Sequence, residues 1–176
     1  MMRGKLFIVL IFSLAFLLAA FGLFYRYTQT HEVMDFWGPE GSQSISSPDQ
    51  VELCELTLLG DHLVDDRDQD ATKISIEDRP YVIMTRKDVT KAPGFINASG
   101  ALILNRNYDW NPRAENPDCR PNWQYALIYR RGKNTTIVAV SIPCGWVYSQ
   151  ATHRLAGLNK SVTEGLARLF QEQLGS

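Results

Sequence analysis

The sequence predicts an α+β domain that is tethered to a membrane by an N-terminal transmembrane helix. Three observations support this prediction. An uncharged apolar run spans residues 6–24, two alternating segments within residues 123–142 have the pattern of a β-hairpin, and residues 161–174 carry an amphipathic stripe. We therefore expect an antiparallel sheet of three to five strands with two helices packed on one face.

The composition limits the classes of function that the chain can have. Its 176 residues include 18 Lys plus Arg and 19 Asp plus Glu, which gives a formal net charge of -1. Nucleic-acid-binding domains are usually strongly basic, so we expect no nucleic-acid partner. With 45% apolar and 21% charged residues, the chain is also not a disordered tail.

The apolar run of residues 6–24 is long enough to cross a membrane. At about 1.5 Å per helical residue it spans roughly 28 Å, close to the thickness of the hydrocarbon core. Arg3 and Lys5 precede the run, whereas the charged residues that follow it are Arg26 and then Glu32, Asp35 and Glu40. The positive-inside rule then predicts residues 1–27 as an anchor with a cytoplasmic N-terminus, and a C-terminal domain that is extracytoplasmic, either periplasmic or extracellular.

A cleaved signal peptide is the main alternative to this anchor. Ala20-Phe21-Gly22 has small residues at the spacing of a cleavage site. The apolar run is longer than a usual signal-peptide core and continues past that site, which favours the uncleaved anchor. Both interpretations place residues 31–176 outside the cytoplasm, and a buried helix of a soluble protein is the third alternative.

Residues 28–50 have the composition of a juxtamembrane linker. They contain Gly38-Pro39 and a serine-rich run at residues 42–48. Phe36 and Trp37 are exceptions, and they either dock on the domain or lie at the membrane interface. On this prediction the extracytoplasmic domain covers residues 51–176.

The first half of the domain contains weaker signals than the second. The predicted elements are strands at 51–59, 73–77 and 81–84, a helix from about 90 to 105, and a loop at 108–121. The first of these strands also fits a short helix. Pro93 is compatible with the first turn of the helix, where its missing N–H would be unpaired anyway.

The hairpin at residues 123–142 is the best-defined unit. Aromatic and aliphatic residues alternate along its first strand, and Gly132-Lys133 suits a two-residue type II′ turn. Pairing Arg131 with Asn134 makes the apolar faces of both strands coincide. This register places Trp123 opposite Ile142, Tyr125 opposite Val140, Leu127 opposite Val138, and Tyr129 opposite Thr136.

The chain closes with a predicted helix. Ser161 and Glu164 have the spacing of a capping box, in which the serine accepts from the third helical N–H and the glutamate reaches back. The stripe that we expect to face the sheet consists of Val162, Leu166, Leu169, Phe170 and Leu174.

The three cysteines lie in the part that we expect to be exported, where disulfides persist. The hairpin register brings Cys119 and Cys144 within one diagonal step, which predicts a bridge between them. The alternative is three free cysteines buried as small apolar residues. Cys54 sits in an apolar run and is predicted to be buried, and zinc binding with His62 or His153 lacks the usual ligand spacing.

An acidic segment offers the one candidate metal site. Asp66, Asp68, Asp70 and Glu77 stand at positions 1, 3, 5 and 12 of a window that resembles the EF-hand calcium loop. Ala71 replaces the glycine that this loop uses for its sharp turn. The alternatives are therefore a calcium-binding module and a solvated acidic loop, and no other cofactor is expected.

Catalytic motifs are not evident in the sequence. It contains no Gly-x-Ser-x-Gly and no glycine-rich phosphate loop. Cys144 and His153 could form a thiol–imidazole pair, but the disulfide prediction competes with it. We therefore predict a non-enzymatic binding or scaffolding module for an unidentified protein or envelope component, with the loop residues Trp110 and Trp146 as candidate partner contacts.

Overall fold

A computed structural model confirms the α+β class, with a long apolar N-terminal helix and an antiparallel sheet. It describes residues 2–59 and 73–175, and for residues 2–9 and Arg26 it describes the backbone alone. The helices are α1 (Met2–Ser46), α2 (Phe95–Ala101), α3 (Pro112–Glu115) and α4 (Lys160–Leu174), with a 3₁₀ turn at Asn105–Asn107. The strands are β1 (Gln50–Leu58), β2 (Lys73–Ile76), β3 (Arg79–Asp88), β4 (Tyr108–Asp109), β5 (Tyr125–Arg131), β6 (Asn134–Ser141), β7 (Trp146–Ser149) and β8 (Arg154–Leu158).

The sheet is larger than the three to five strands that the sequence predicts. The described residues form one antiparallel sheet of eight strands in the order β2-β3-β1-β5-β6-β7-β8-β4. The three additional strands, β4, β7 and β8, have only two, four and five residues. All four residues of β7 are buried, so this strand lacks the alternation that identifies a strand buried on one face.

The hairpin register is confirmed along β5 and β6. Tyr125 pairs with Val140, and Arg131 pairs with Asn134 at the turn. Gly132 has a φ of 57°, as the first central residue of a type II′ turn requires. The turn and the alternating faces therefore select the same register.

Trp123 departs from the predicted hairpin. The strand begins only at Tyr125, where its pairing with β1 ends at Glu55. Beyond this pair the Leu56 N–H donates to the Gln124 carbonyl, 2.8 Å away. Trp123 lies outside the ladder and is buried on the face opposite to the one that Tyr125 occupies.

The sheet buries apolar residues on both faces. Side chains such as Leu53 and Leu127 pack against α1, α2 and α4, whereas Cys54 and Ala126, the next residues along, belong to a second cluster on the other face. The sheet curls around this second cluster. The Gln150 side chain, just after β7, donates to a carbonyl of β2 at the far end of the strand order.

The segment predicted as a linker is helical. Residues 28–46 continue α1, with one interruption at Gly38, where φ is 73° and ψ is 166°. In the serine-rich part, the Ser44 and Ser46 hydroxyls donate to carbonyls three or four residues earlier. Val33, Phe36, Trp37 and Ile45 are buried in the helix-side core, so tertiary packing stabilises a helix that the local sequence does not favour.

The other two predicted helices exist with different ends. The helix expected at about 90 to 105 is restricted to the seven residues of α2. At the start of α4, Asn159 is the N-cap and accepts from the Val162 N–H, while the Ser161 hydroxyl donates to Asn159. Glu164 pairs with Lys160, so the predicted capping box is wrong. The buried residues Leu166, Leu169 and Phe170 confirm the centre of the predicted stripe.

Candidate functional site

The junction between α1 and the sheet domain is held by direct hydrogen bonds. Among the described residues, α1 is the one helix long and apolar enough to cross a membrane, by length and composition. The Asn105 side chain grips it in two places. Its Oδ1 accepts from the Val33 N–H at 2.9 Å, and its Nδ2 donates to the Thr28 carbonyl at 3.0 Å. The domain therefore holds α1 from Thr28 onward, four residues beyond the apolar run that ends at Phe24.

Trp37 fixes the next turns of α1. Its indole Nε1 donates to the Leu102 carbonyl at 2.8 Å and to the Tyr108 hydroxyl at 3.2 Å. The Tyr108 hydroxyl donates to the same carbonyl at 2.6 Å. Burial raises the pKa of Tyr108 far above its ordinary value, so its phenol remains a neutral donor at physiological pH.

Contacts from the sheet domain also stabilise the interruption of α1 at Gly38. A non-helical residue leaves carbonyls of the preceding turn without helical partners. The Thr152 hydroxyl donates to one of them, the Phe36 carbonyl. The Arg154 guanidinium lies 5.9 Å from the centroid of the Phe36 ring, within the range of a cation–π contact. The kink is thus a fixed feature of the junction.

A groove lies between α2 and α4 on the helical side of the domain. Its volume is about 560 Å³, and its residues are Pro93, Gly94, Asn97, Ala98, Ala101, Ser161, Val162, Gly165, Leu166, Arg168, Leu169 and Glu172. Small residues leave the space open, since a Cβ added at Gly165 would meet no atom within 4 Å. Arg168 and Glu172 are the only ionisable residues of the lining, so the groove suits binding of apolar groups better than acid–base chemistry.

A more polar cavity lies beside the disulfide. It has a volume of about 430 Å³ and is lined by Asp109, Glu115, Trp146 and Lys160 among others. The structure joins Cys119 to Cys144 as predicted, with their Cα atoms 5.9 Å apart. The bridge closes the loop that carries α3 onto the sheet.

Trp110 and Trp146 do not form a common surface patch. Trp146 is only 3% exposed and belongs to the second cluster of the sheet. Trp110 is half-buried against the other cluster, where its ring stacks on Tyr108 with centroids 4.7 Å apart. The aromatic surface that these two residues were predicted to present is therefore not assembled.

The candidate calcium ligands fall largely outside the described residues. Asp66, Asp68 and Asp70 lie in the segment between 59 and 73. Glu77 is described, and its carboxylate accepts from the Trp123 indole at 3.2 Å and lies 3.8 Å from the Arg113 guanidinium. Residues 2–59 and 73–175 contain no cluster of three potential metal ligands. Calcium binding stays a prediction.

The predicted thiol–imidazole pair lacks its thiol. Cys144 is in the disulfide, and the Nδ1 of His153 lies 3.0 Å from the Tyr148 hydroxyl. An enzyme that uses Cys144 as a nucleophile would require this bridge to be reduced.

Sequence reasoning missed a charged cluster around the free cysteine. Glu52 and Cys54 share one face of β1, and the Glu52 carboxylate lies 2.9 Å from the Arg130 guanidinium and 3.9 Å from that of Arg86. Burial raises the pKa of the Cys54 thiol, although Arg86 opposes the shift. The thiol is therefore protonated and enclosed, which predicts low reactivity. The spacing of Glu52 and Cys54, two residues apart in a predicted strand, was the sequence signal that both side chains lie on one face.

Comparisons with known proteins do not identify a relative of this chain. No family model, no curated protein and no solved structure matches it.

Proposed function

We propose that this chain is a single-pass membrane protein whose extracytoplasmic domain is a non-enzymatic binding module held at a fixed height above the bilayer. The N-terminus is cytoplasmic. The groove between α2 and α4 is the binding surface, and its partner is a protein or another component of the cell envelope.

The continuity of α1 supports this proposal more than any other observation. The same helix contains the apolar run and contributes Val33, Phe36, Trp37 and Ile45 to the core. A flexible linker would let the domain sample a wide range of heights. An unbroken helix from Phe24 to Trp37 instead sets the height by its rise of about 1.5 Å per residue.

The groove suits a binding role because its walls are fixed and its interior is open. Leu166 and Leu169 are anchored in the core, and Gly94, with a φ of 89°, lies where a Cβ would come within 3.1 Å of Leu169. Ala98, Ala101 and Gly165 are small residues of the groove's lining. A partner could therefore insert apolar side chains without displacing the helices.

A matched pair of glycine variants tests the groove. Gly165 and Gly100 both have open space around their missing Cβ, but only Gly165 lines the groove. A photo-crosslinking residue at Asn97 of the full-length chain, in its native membranes, is expected to form a defined adduct. Gly165→Phe fills the groove and is expected to abolish the adduct, whereas Gly100→Phe preserves it.

Topology is measured in the same membranes. Resistance to alkaline extraction, together with cleavage of the domain by a protease added from the extracytoplasmic side, is the expected result. An adduct that survives Gly165→Phe would eliminate the groove as the binding surface. A chain released by alkaline washing would eliminate the anchor.

A further inference from the structure

The height at which the domain grips α1 places one of its edges close to the bilayer. This edge, which we call the membrane-proximal edge, consists of Asn105–Asn107 and Asn159–Ser161. It is one unit because the Asn159 N–H donates to the Asn107 carbonyl at 2.9 Å, and the Asn159 side chain bonds to Asn107 and to the Arg106 carbonyl. Asn105 in turn fastens the edge to Thr28.

The rise of α1 gives the depth of this edge. Thr28 is four residues beyond Phe24, or about 6 Å along the helix axis. The headgroup layer of one leaflet is about 5–7 Å thick. Tyr25 and Tyr27 are exposed on α1 just below Thr28, where aromatic side chains favour the interface. The edge therefore lies at the outer limit of the headgroups.

Arg106 places a guanidinium at the depth of the lipid phosphates. Its side chain is exposed and takes part in none of the ion pairs among residues 2–59 and 73–175. A guanidinium binds phosphate oxygens in bidentate fashion, and its long stem reaches across a short gap. The nearby Glu164 is paired with Lys160, and Glu32 lies a further helical turn away from the bilayer than Thr28.

We infer that the membrane-proximal edge rests on the outer leaflet, with Arg106 bound to lipid phosphates. This inference depends on the proposed anchor. It adds a second attachment to the membrane beside α1, which fixes the tilt of the domain as well as its height. The groove, whose lining includes Ser161 at this edge, then opens at a set angle to the bilayer.

The test uses the full-length chain in phospholipid vesicles that contain 30% anionic lipid. A fluorophore is attached to Ser161→Cys on the edge, which leaves the Lys160–Glu164 pair intact, or to Lys133→Cys at the β5–β6 turn, and a lipid with a nitroxide on its headgroup is the quencher. Lys133 is a matched control, because the neighbouring Arg131 contacts Gln43, 15 residues farther along α1 than Thr28. Cys54 is buried, and the unmodified chain measures any labelling of it.

We expect strong quenching at position 161 and weak quenching at position 133. Arg106→Glu in the labelled chain should reduce quenching at position 161, since each positive charge lost near an anionic surface lowers the contact population about fivefold and this variant reverses the charge. Arg106→Lys and Lys133→Glu should leave it unchanged. Equal quenching at both positions, or no effect of Arg106→Glu, overturns the inference. Failure of the chain to float with the vesicles instead overturns the anchor.

Discussion

Trp37 is the residue through which the junction is most directly tested. Its side chain is fully buried, and replacement by alanine removes a large core group together with the Nε1 donor. Deletion of a buried tryptophan costs about 3–5 kcal/mol. The Leu102 carbonyl keeps its bond from Tyr108, so no unsatisfied acceptor adds to this cost. We expect Trp37→Ala to lower the free energy of unfolding by about 4 kcal/mol.

Urea denaturation of the full-length chain in mild detergent measures this effect. Near-ultraviolet circular dichroism follows the packing of the remaining aromatic residues, and it is insensitive to whether the apolar part of α1 stays helical in the micelle. With a slope of about 2 kcal/mol per molar urea, the expected loss moves the midpoint down by about 2 M.

Met34 provides the control on the same helix. It is 49% exposed, so Met34→Ala should change the free energy of unfolding by about 0.5 kcal/mol or less. If Trp37→Ala moves the midpoint no more than Met34→Ala does, residues 33–45 are not part of the cooperative core. The anchor would then not be continuous with the folded domain.

Three further predictions concern the core. A chain that begins at residue 28 should unfold cooperatively, and one that begins at residue 51 should not, because the second lacks the buried face of α1. Similar near-ultraviolet spectra for both chains would contradict this prediction. Replacing Cys119 and Cys144 by serine, which opens a sequence separation of 25 residues, should lower the free energy of unfolding by about 3 kcal/mol in urea, and an unchanged midpoint would count against the bridge. Burial raises the pKa of Tyr129 from 10.0 to about 12. The stabilisation that follows from this shift is fully present below pH 10 and is lost as pH rises toward 12. Tyr129→Phe should therefore flatten the fall in the free energy of unfolding over that interval. An unchanged slope of this free energy against pH would refute the assignment.

The sequence predicts the fold well where local pattern and tertiary structure agree. In the β5–β6 hairpin, alternation and the Gly132 turn favour the same register, and the structure has it. In residues 28–46 they disagree. Gly38-Pro39 and the serines are local signals for a linker, but the burial of Phe36 and Trp37 stabilises a helix there. The Phe36-Trp37 pair is a local signal for docking on the domain, which the structure confirms, but the helical conformation of the segment depends on long-range contacts that the local pattern does not show.

The candidate site is harder to predict for the same reason. The groove combines Ala98 on α2 with Gly165 on α4, and nothing in either segment alone indicates that they are neighbours. Trp146 shows the opposite error. It stands in a segment that looks like a loop, and the uniform burial of β7 turns an expected surface residue into a core residue.

The hydrogen bonds of the junction join residues that are far apart in sequence, and this has a consequence for biosynthesis. The Phe36 carbonyl accepts from the hydroxyl of Thr152, which is 116 residues later in the chain, and the Val33 N–H donates to the side chain of Asn105, which is 72 residues later. At 5–20 residues per second, Thr152 is added roughly 6–23 s after Phe36. During that interval the sheet that covers the apolar side of the helix is incomplete. With α1 anchored as proposed, the nearest apolar medium is the bilayer that holds the first half of the same helix, and the membrane surface would then shield this helix until the last strands are synthesised.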